Sequence, residues 1–299
     1  MAEPSTFTAV DLSRLTAPTI VETLDFDTIY GQMLAQLVAL LPDFDATVES
    51  DPAVKLLQVA AYREMLLRAR VNDAARAVMP AYATGADLDN LAALMGVVRL
   101  LITPADAQTG AGAVLESDED FRRRLVLAPE GYSVAGPEGA YIFHALSASA
   151  DVLDASATSP TTGEVRVTVL ARAGTGVASA ALLAAVLAYV SAETRRPLTD
   201  YVTIQSAQIV PYAVAASITT FAGPDGSIVI AEARARLAAY IANSHRLGRD
   251  ITRSGIFAAL HVEGVQNVVL TSPAADVVLD RTQAGWCTAS NVVHAGLGE

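Results

Sequence analysis

The sequence predicts an α+β protein, with a helical N-terminal half able to form bundle contacts and a C-terminal α/β sandwich of ferredoxin-like, split βαβ type. Three observations carry that prediction. Apolar residues recur at helical spacing over 28–41 and again over 53–79. Beyond Ala150 the period shortens to two, in Glu164-Val-Arg-Val-Thr-Val-Leu170 and in the β-rich run 201–221. From there the segments follow in the order strand, helix, strand, strand, helix, strand.

The first helix, over 28–41, carries Ile29, Met33, Leu34, Leu37, Val38 and Leu41, and Pro42 closes it. Pro52 fits the first helical position after a cap at Ser50 or Asp51, opening a longer helix over 53–79. One stripe of that helix reads Leu57, Ala61, Met65, Arg68, Asn72, Ala75 and Met79. Leu56, Ala60, Leu67, Val71, Ala74 and Val78 form a second apolar flank. A helix apolar on more than one side must be covered by several neighbours. Those neighbours belong either to one helical domain or to several chains meeting at a bundle. In the bundle, Leu57, Ala61, Met65, Arg68, Asn72 and Met79 are interface candidates, and the polar Arg68 and Asn72 fix register at some cost in stability.

Gly85 ends this region, Asp87 caps a short helix bearing Leu88, Leu91, Ala92 and Met95, and Gly96 stops it. A loop rich in Ala, Gly and Asp spans 103–112. Ser117 with Asp120 forms a variant capping box before Phe121-Arg-Arg-Arg-Leu125. Pro137 then opens a helix to about Ser147. After the strand at 164–170 come an apolar helix over 180–192, the β-rich run interrupted near Pro211, the turn Gly223-Pro-Asp-Gly226 and a helix over 228–243. Gly248 stops that helix near His245, Ser254 caps a short one, and Gly264 releases a strand. The tail with Trp286 and Cys287 adds a strand or forms an exchangeable arm. The expected divisions are a helical region at 1–83, a mixed middle domain at 84–150, a sandwich at 151–280 and a tail at 281–299. Gly85, Gly96, Gly136 and Gly248 flank connections and are hinge candidates.

Composition narrows the function. With 299 residues, 52% hydrophobic and 17% charged, the chain can bury a substantial core. Its net charge of −12 argues against a general nucleic-acid binder or a partner of anionic membranes. Lys55 is the single lysine, and arginine supplies the other basic residues, either as bidentate partners in protein contacts or through coding bias. One cysteine, Cys287, permits no internal disulfide and no thiolate metal cage. The start, Met-Ala-Glu-Pro-Ser-Thr, lacks the basic and apolar regions of a signal peptide, and the longest apolar run covers only 180–190. A soluble protein assembled in the cytoplasm is expected.

Several motifs approach an enzyme signature and miss. Gly174-Thr-Gly176-Val-Ala-Ser179 lies between a strand and a helix, but Ser179 replaces the third glycine of a dinucleotide loop, and Glu193 and Asp200 are misplaced for the ribose carboxylate. Gly131-Tyr-Ser133-Val-Ala135 lacks the final glycine of a nucleophile elbow. Glu116, Asp118, Glu119 and Asp120 read as a solvated helix start rather than a hydrolase pair. His144, His245, His261 and His294 form no metal spacing and suit helix ends and packing. Arg122-Arg-Arg124 and Arg195-Arg196 read as solvated faces or protein contacts.

One stretch ties these segments together: His245-Arg-Leu-Gly-Arg-Asp-Ile251, followed by Ser254-Gly-Ile-Phe-Ala-Ala-Leu260 and Gly264-Val-Gln-Asn-Val-Val-Leu270. It resembles the J family of baseplate proteins from contractile-tailed phages, which carry a similar Leu-Gly-Arg-Asp corner and Gly-Val-x-x-Val strand. Thr84-Gly-Ala-Asp-Leu-Asp-Asn-Leu-Ala92 with Gly96 and Arg99, Glu116-Ser-Asp-Glu-Asp-Phe-Arg-Arg-Arg124, and Ser133-Val-Ala-Gly136 with Gly139-Ala-Tyr141 look like further blocks of that family, in the expected order.

The resemblance implies a structural wedge protein of a phage or tail-like bacteriocin, with no catalytic residue, metal or cofactor. It also implies that two copies join one smaller wedge protein through a helical bundle. Wedges then close into a ring around the tail hub and relay fibre engagement to the sheath. The competing expectations are a baseplate-associated cell-wall hydrolase, a dinucleotide-dependent protein and an assembly factor that leaves before maturation.

Overall fold

The computed structural model describes Leu12, Leu15, Thr16, Pro18 and residues 20–44, 48–223 and 225–298. The opening Met1–Thr6 reading and Pro224 of the expected turn lie outside the described residues. The architecture is mixed α+β, with eight α-helices and three small sheets among the described residues. The described residues divide into two compact units, one lying within 12–99 and 117–125, the other within 100–116 and 126–298.

The first unit contains α1 (Phe26–Leu40), α2 (Pro52–Ala77) and α3 (Gly85–Ala93). Asp25 caps α1, accepting the Thr28 N–H at 2.8 Å, and Asp51 caps α2, accepting the Ala53 N–H at 2.7 Å. Thr84 occupies the cap position of α3, so Asp87 stands inside its first turn, where its charge favours the helix dipole.

In the second unit, 103–112 is less irregular than expected. β1 (Leu101–Thr103) and β2 (Val114–Leu115) pair antiparallel, with a further bridge between Asp106 and Ala111. The helix α4 (Asp118–Leu127) follows in sequence, with its residues 118–125 belonging to the first unit, and Ser117 accepts the Asp120 N–H at 3.2 Å, half of the expected capping box. A 3-10 turn, Ala128–Tyr132, leads to α5 (Glu138–Ala148). Then come β3 (Val152–Thr158), β4 (Glu164–Ala171), α6 (Ala180–Val190) and β5 (Tyr201–Ser206). The sheet order is β3-β4-β5, with β3 antiparallel and β5 parallel to β4. Tyr141 and Ala145 of α5, Val186 and Val190 of α6, and Val167 and Val169 of β4 form one buried cluster.

A second sheet is built from β6 (Gln208–Phe221), β7 (Val265–Ser272) and β8 (Gln283–Gly298), in the order β7-β6-β8. It packs against α7 (Gly226–Ser244) and α8 (Arg253–Leu260). Alternate residues of β6, among them Tyr212, Val214, Ala216 and Ile218, join Val229, Ala233, Leu237, Ile256 and Leu260 in a separate core. Thr252 rather than Ser254 caps α8, accepting the Gly255 N–H at 3.1 Å.

The expected order of strands and helices is present, but the strands form two three-stranded sheets instead of one ferredoxin-like sheet. The reason is local. Only Ala207 separates β5 from β6, and a single residue cannot reverse the chain into the hairpin that one sheet requires. β5 therefore runs onward into a new sheet. Pro211 does not interrupt the run either. It pairs in register with Trp286 on β8, while the β7 pairing of β6 begins only at Ala215, so its missing N–H costs no ladder bond on that side. The tail forms β8, which runs parallel to β6 from the Gln208 and Gln283 pair to the Phe221 and Gly298 pair.

Candidate assembly interface

The two apolar sides of α2 have different fates. On the first stripe, Ala61 is fully buried and Asn72 is 6% exposed, while Leu57, Met65, Arg68 and Met79 are half-buried. Asn72 faces the backbone of Glu22, accepting its N–H at 3.1 Å and donating to its carbonyl at 2.9 Å. Arg68 pairs with Glu22 at 3.2 Å and with Glu64, one turn earlier, at 2.5 Å. Thus Ala61 and Asn72, expected among residues that meet another chain, are already buried inside their own. A buried amide with both faces paired is satisfied where it stands.

The second flank is bare. Leu56, Ala60, Leu67, Val71, Ala74 and Val78 are all exposed, Leu56 by 71% and Leu67 by 66%. Val59, Tyr62 and Leu66 widen the same apolar surface. The sequence contained both stripes, and periodicity alone does not say which of them the rest of the chain covers.

The hinge candidates all sit at left-handed turns, with φ of +52° at Gly85, +66° at Gly96, +79° at Gly136 and +66° at Gly248. Three are tied down. The Gly85 N–H donates to Asp118 at 3.1 Å, and its carbonyl accepts from Arg99 at 3.3 Å. A Cβ on Gly136 would fall 2.9 Å from Pro197 and Asp200. The Gly248 N–H donates to the Gln283 carbonyl at 2.9 Å. At Gly96 the Val97 N–H returns to Ala92 at 3.1 Å, closing α3, and a Cβ would meet open space.

Arginine acts largely as an internal brace. Arg99 bonds Asp89 and Asp118, each at 2.5 Å, and lies over the Phe121 ring. Burial alone would raise the Asp118 carboxyl, but the Gly85 N–H and the Arg99 guanidinium hold it below the usual carboxylate range. Arg122 donates to the carbonyls of Pro80 and Ala83, Arg124 to that of Val98, and Arg196 to those of Ser191 and Asp200. Asp118 is therefore committed to packing, and Glu116 is buried with the Leu100 N–H at 3.2 Å. The expected solvated helix start holds for Glu119 alone among these carboxylates at full exposure.

The near-miss motifs have structural employment. Ser179 caps α6, accepting the Leu182 N–H at 3.2 Å, and Gly176 lies against Leu170 and His245. Ser133 accepts the Ala135 N–H at 3.3 Å, and Gly131 sits beneath the Phe143 ring. His245 and His261 occupy the C-caps of α7 and α8. His144 is 6% exposed, and neither ring nitrogen has a hydrogen-bond partner among the described residues. Burial, reinforced by the Arg195 charge, pushes its pKa below the ordinary 6.5.

Comparison with known proteins fits a scaffold of this kind. Residues 49–106 match the Baseplate J-like N-terminal domain, 133–206 the Baseplate J-like central domain and 212–292 the Baseplate J-like protein C-terminal domain. Baseplate protein J of Escherichia phage P2 is 49% identical over 299 residues, covering 97% of this chain and 99% of the relative. The chain belongs to the baseplate J-like family.

This baseplate J-like chain is a structural baseplate protein. A chain in the six-fold-symmetrised cryo-EM structure of the anti-feeding prophage baseplate is similar at a TM-score of 0.40 and 14% identity, over 60% of this chain and 43% of that one. Among the described residues no helix is long and apolar enough to cross a membrane.

Proposed function

We propose that this baseplate J-like protein is a wedge component in which two copies join one smaller wedge protein through the exposed flank of α2. The observation that carries the reading is the apolar surface from Leu56 to Val78, which no described part of the chain covers. An isolated helix with such a surface gains by burial against other helices, at about 25 cal/mol per Å² of apolar area removed from water. Leu57, Met65, Arg68 and Met79, half-buried beside that flank, form its rim, and Ala61 and Asn72 hold the helix in place for it.

Wedges assembled in this way close into a ring around the tail hub and relay fibre engagement to the sheath. The relay needs interfaces with discrete alternative packings. Gly96, where a Cβ would meet open space and whose own backbone takes, among the described residues, no side-chain hydrogen bond of the kind that ties Gly85, is the best placed of the glycine pivots, ahead of Gly85, Gly136 and Gly248. The particle is assembled in the host bacterial cytoplasm, and acidic net charge fits protein partners rather than nucleic acid or anionic membrane.

Quantitative mass spectrometry of intact particles tests the reading. A stable ratio of two copies to one of the smaller wedge protein is expected. Finding the chain only in soluble lysate would replace this reading with that of an assembly factor.

A further inference from the structure

The central and C-terminal lobes of the second unit are joined without a linker. β5 ends at Ser206 and β6 begins at Gln208, with Ala207 buried between them. The Ala207 N–H donates to the Val169 carbonyl at 2.9 Å, extending the β4 ladder, and the next N–H, of Gln208, donates to Thr282 at 2.9 Å. One peptide step thus carries the chain from the first sheet to the second with both amides satisfied. Leu170, Ala207 and Ala284 pack together at this point, with Leu153, Ile209 and Leu247 around them.

Polar contacts bind the same joint from the other side. Asp154 on β3 is 3% exposed and accepts the N–H groups of Leu247 at 3.0 Å and Ala155 at 2.8 Å. Ser156 donates to the Arg281 carbonyl at 2.5 Å, and the Arg281 guanidinium donates to Ala157 at 3.1 Å while pairing with Glu138. Leu247 also bridges Ala284, and Gly248 donates to Gln283. The corner at 245–251 is therefore fastened both to β3 of the central lobe and to β8 of its own.

We propose that the two lobes form one rigid lever, with the Leu247-Gly248 corner and Asp154 as its latch. Bending at Ala207 would leave the Asp154, Ser156, Ala207 and Gln208 bonds unmade in a water-poor joint, so the lobes move together. This makes the corner a fastening instead of a pivot. The rigidity is a property of the chain itself, and its use to transmit force rests on the wedge reading above.

The test uses the full chain in solution. Spin labels at Ala185→Cys on α6 and Ala235→Cys on α7, both exposed positions, are introduced in a Cys287→Ser background. Pulsed electron resonance is expected to give a single narrow distance distribution. Inserting Gly-Ser-Gly after Ala207 should widen it about twofold, since such linkers are flexible. Asp154→Ala should widen it less, and Asp154→Asn, whose one acceptor oxygen can keep only one of the two N–H bonds, should fall between the alanine variant and the parent. A broad distribution in the parent chain, or an insertion that leaves the width unchanged, overturns the proposal.

Amide exchange of the unaltered protein gives a second reading that does not depend on variants folding. The Ala207, Gln208, Leu247 and Gly248 amides should exchange within about tenfold of the β4 and β6 core amides, whereas exchange about 100-fold faster also overturns the lever. Neither measurement needs a particle, so either result leaves the wedge stoichiometry to be decided separately.

Discussion

Along β6, each inward residue from Tyr212 to Ile218 meets α7, α8 or a neighbouring strand of its own chain, whereas α2 buries only Val54, Ala61 and Asn72 and leaves Leu56, Leu67 and Val78 to solvent. Both elements are rich in apolar residues, yet one is finished by the fold and the other is not. The difference separates two uses of hydrophobic surface. In the sheet it is buried within the chain, and on the helix it is left open to the association proposed above. Buried apolar residues should therefore govern unfolding, and exposed ones assembly.

The largest expected effect on folding lies in the sheet. Ile218→Ala should cost about 2–5 kcal/mol, because it removes a fully buried side chain and leaves a cavity. Trp286, the single tryptophan and part of β8, reports the denaturation of that unit. A loss well under that range would mean a slack core.

On the covered side of α2, Asn72→Ala should cost about 1–3 kcal/mol, since both Glu22 backbone groups lose their partner. Faster amide exchange along α2 would report it, and unchanged exchange would show that the Glu22 pairing does not hold the helix.

His144 supplies a pH-dependent contrast inside the second unit. Its folded pKa lies below the unfolded value, so the folded state disfavours the protonated ring. The stability it protects is complete above about pH 6.5 and falls by up to about 1.4 kcal/mol per pH unit as the pH drops below that value. His144→Phe should flatten this part of the profile, so a variant whose acid sensitivity matches the parent's would assign that sensitivity to other groups. The smallest effect is expected on the bare flank, where Leu67→Ala should change the stability of the free chain by less than about 0.5 kcal/mol.

Much of the secondary structure was legible in the sequence. Helical periods located α1, α2, α6 and α7, and Pro52 after a cap at Ser50 or Asp51, Ser117 and Gly264 marked the ends of elements as their chemistry requires. β3 escaped because its Ala155-Ser156-Ala157 core is small and lacks the β-branched signal. The sheet switch at Ala207 escaped because a buried alanine carries no turn signature, while Pro211 carries a strong one and stays in the strand. For α2, periodicity revealed two stripes but not which of them Glu22 and its neighbours would cover. That choice depends on residues some fifty positions away, as do the partners of Arg122 and Asp154 at their own distances, and no local pattern encodes it.

The division of α2 into a covered and a bare side is best tested by comparing Leu56→Asp/Leu67→Asp with the parent protein in thermal unfolding and in incorporation into particles. The account predicts an unfolding curve within experimental error of the parent's and a variant absent from purified particles. Particles that carry the variant at parental abundance would contradict it.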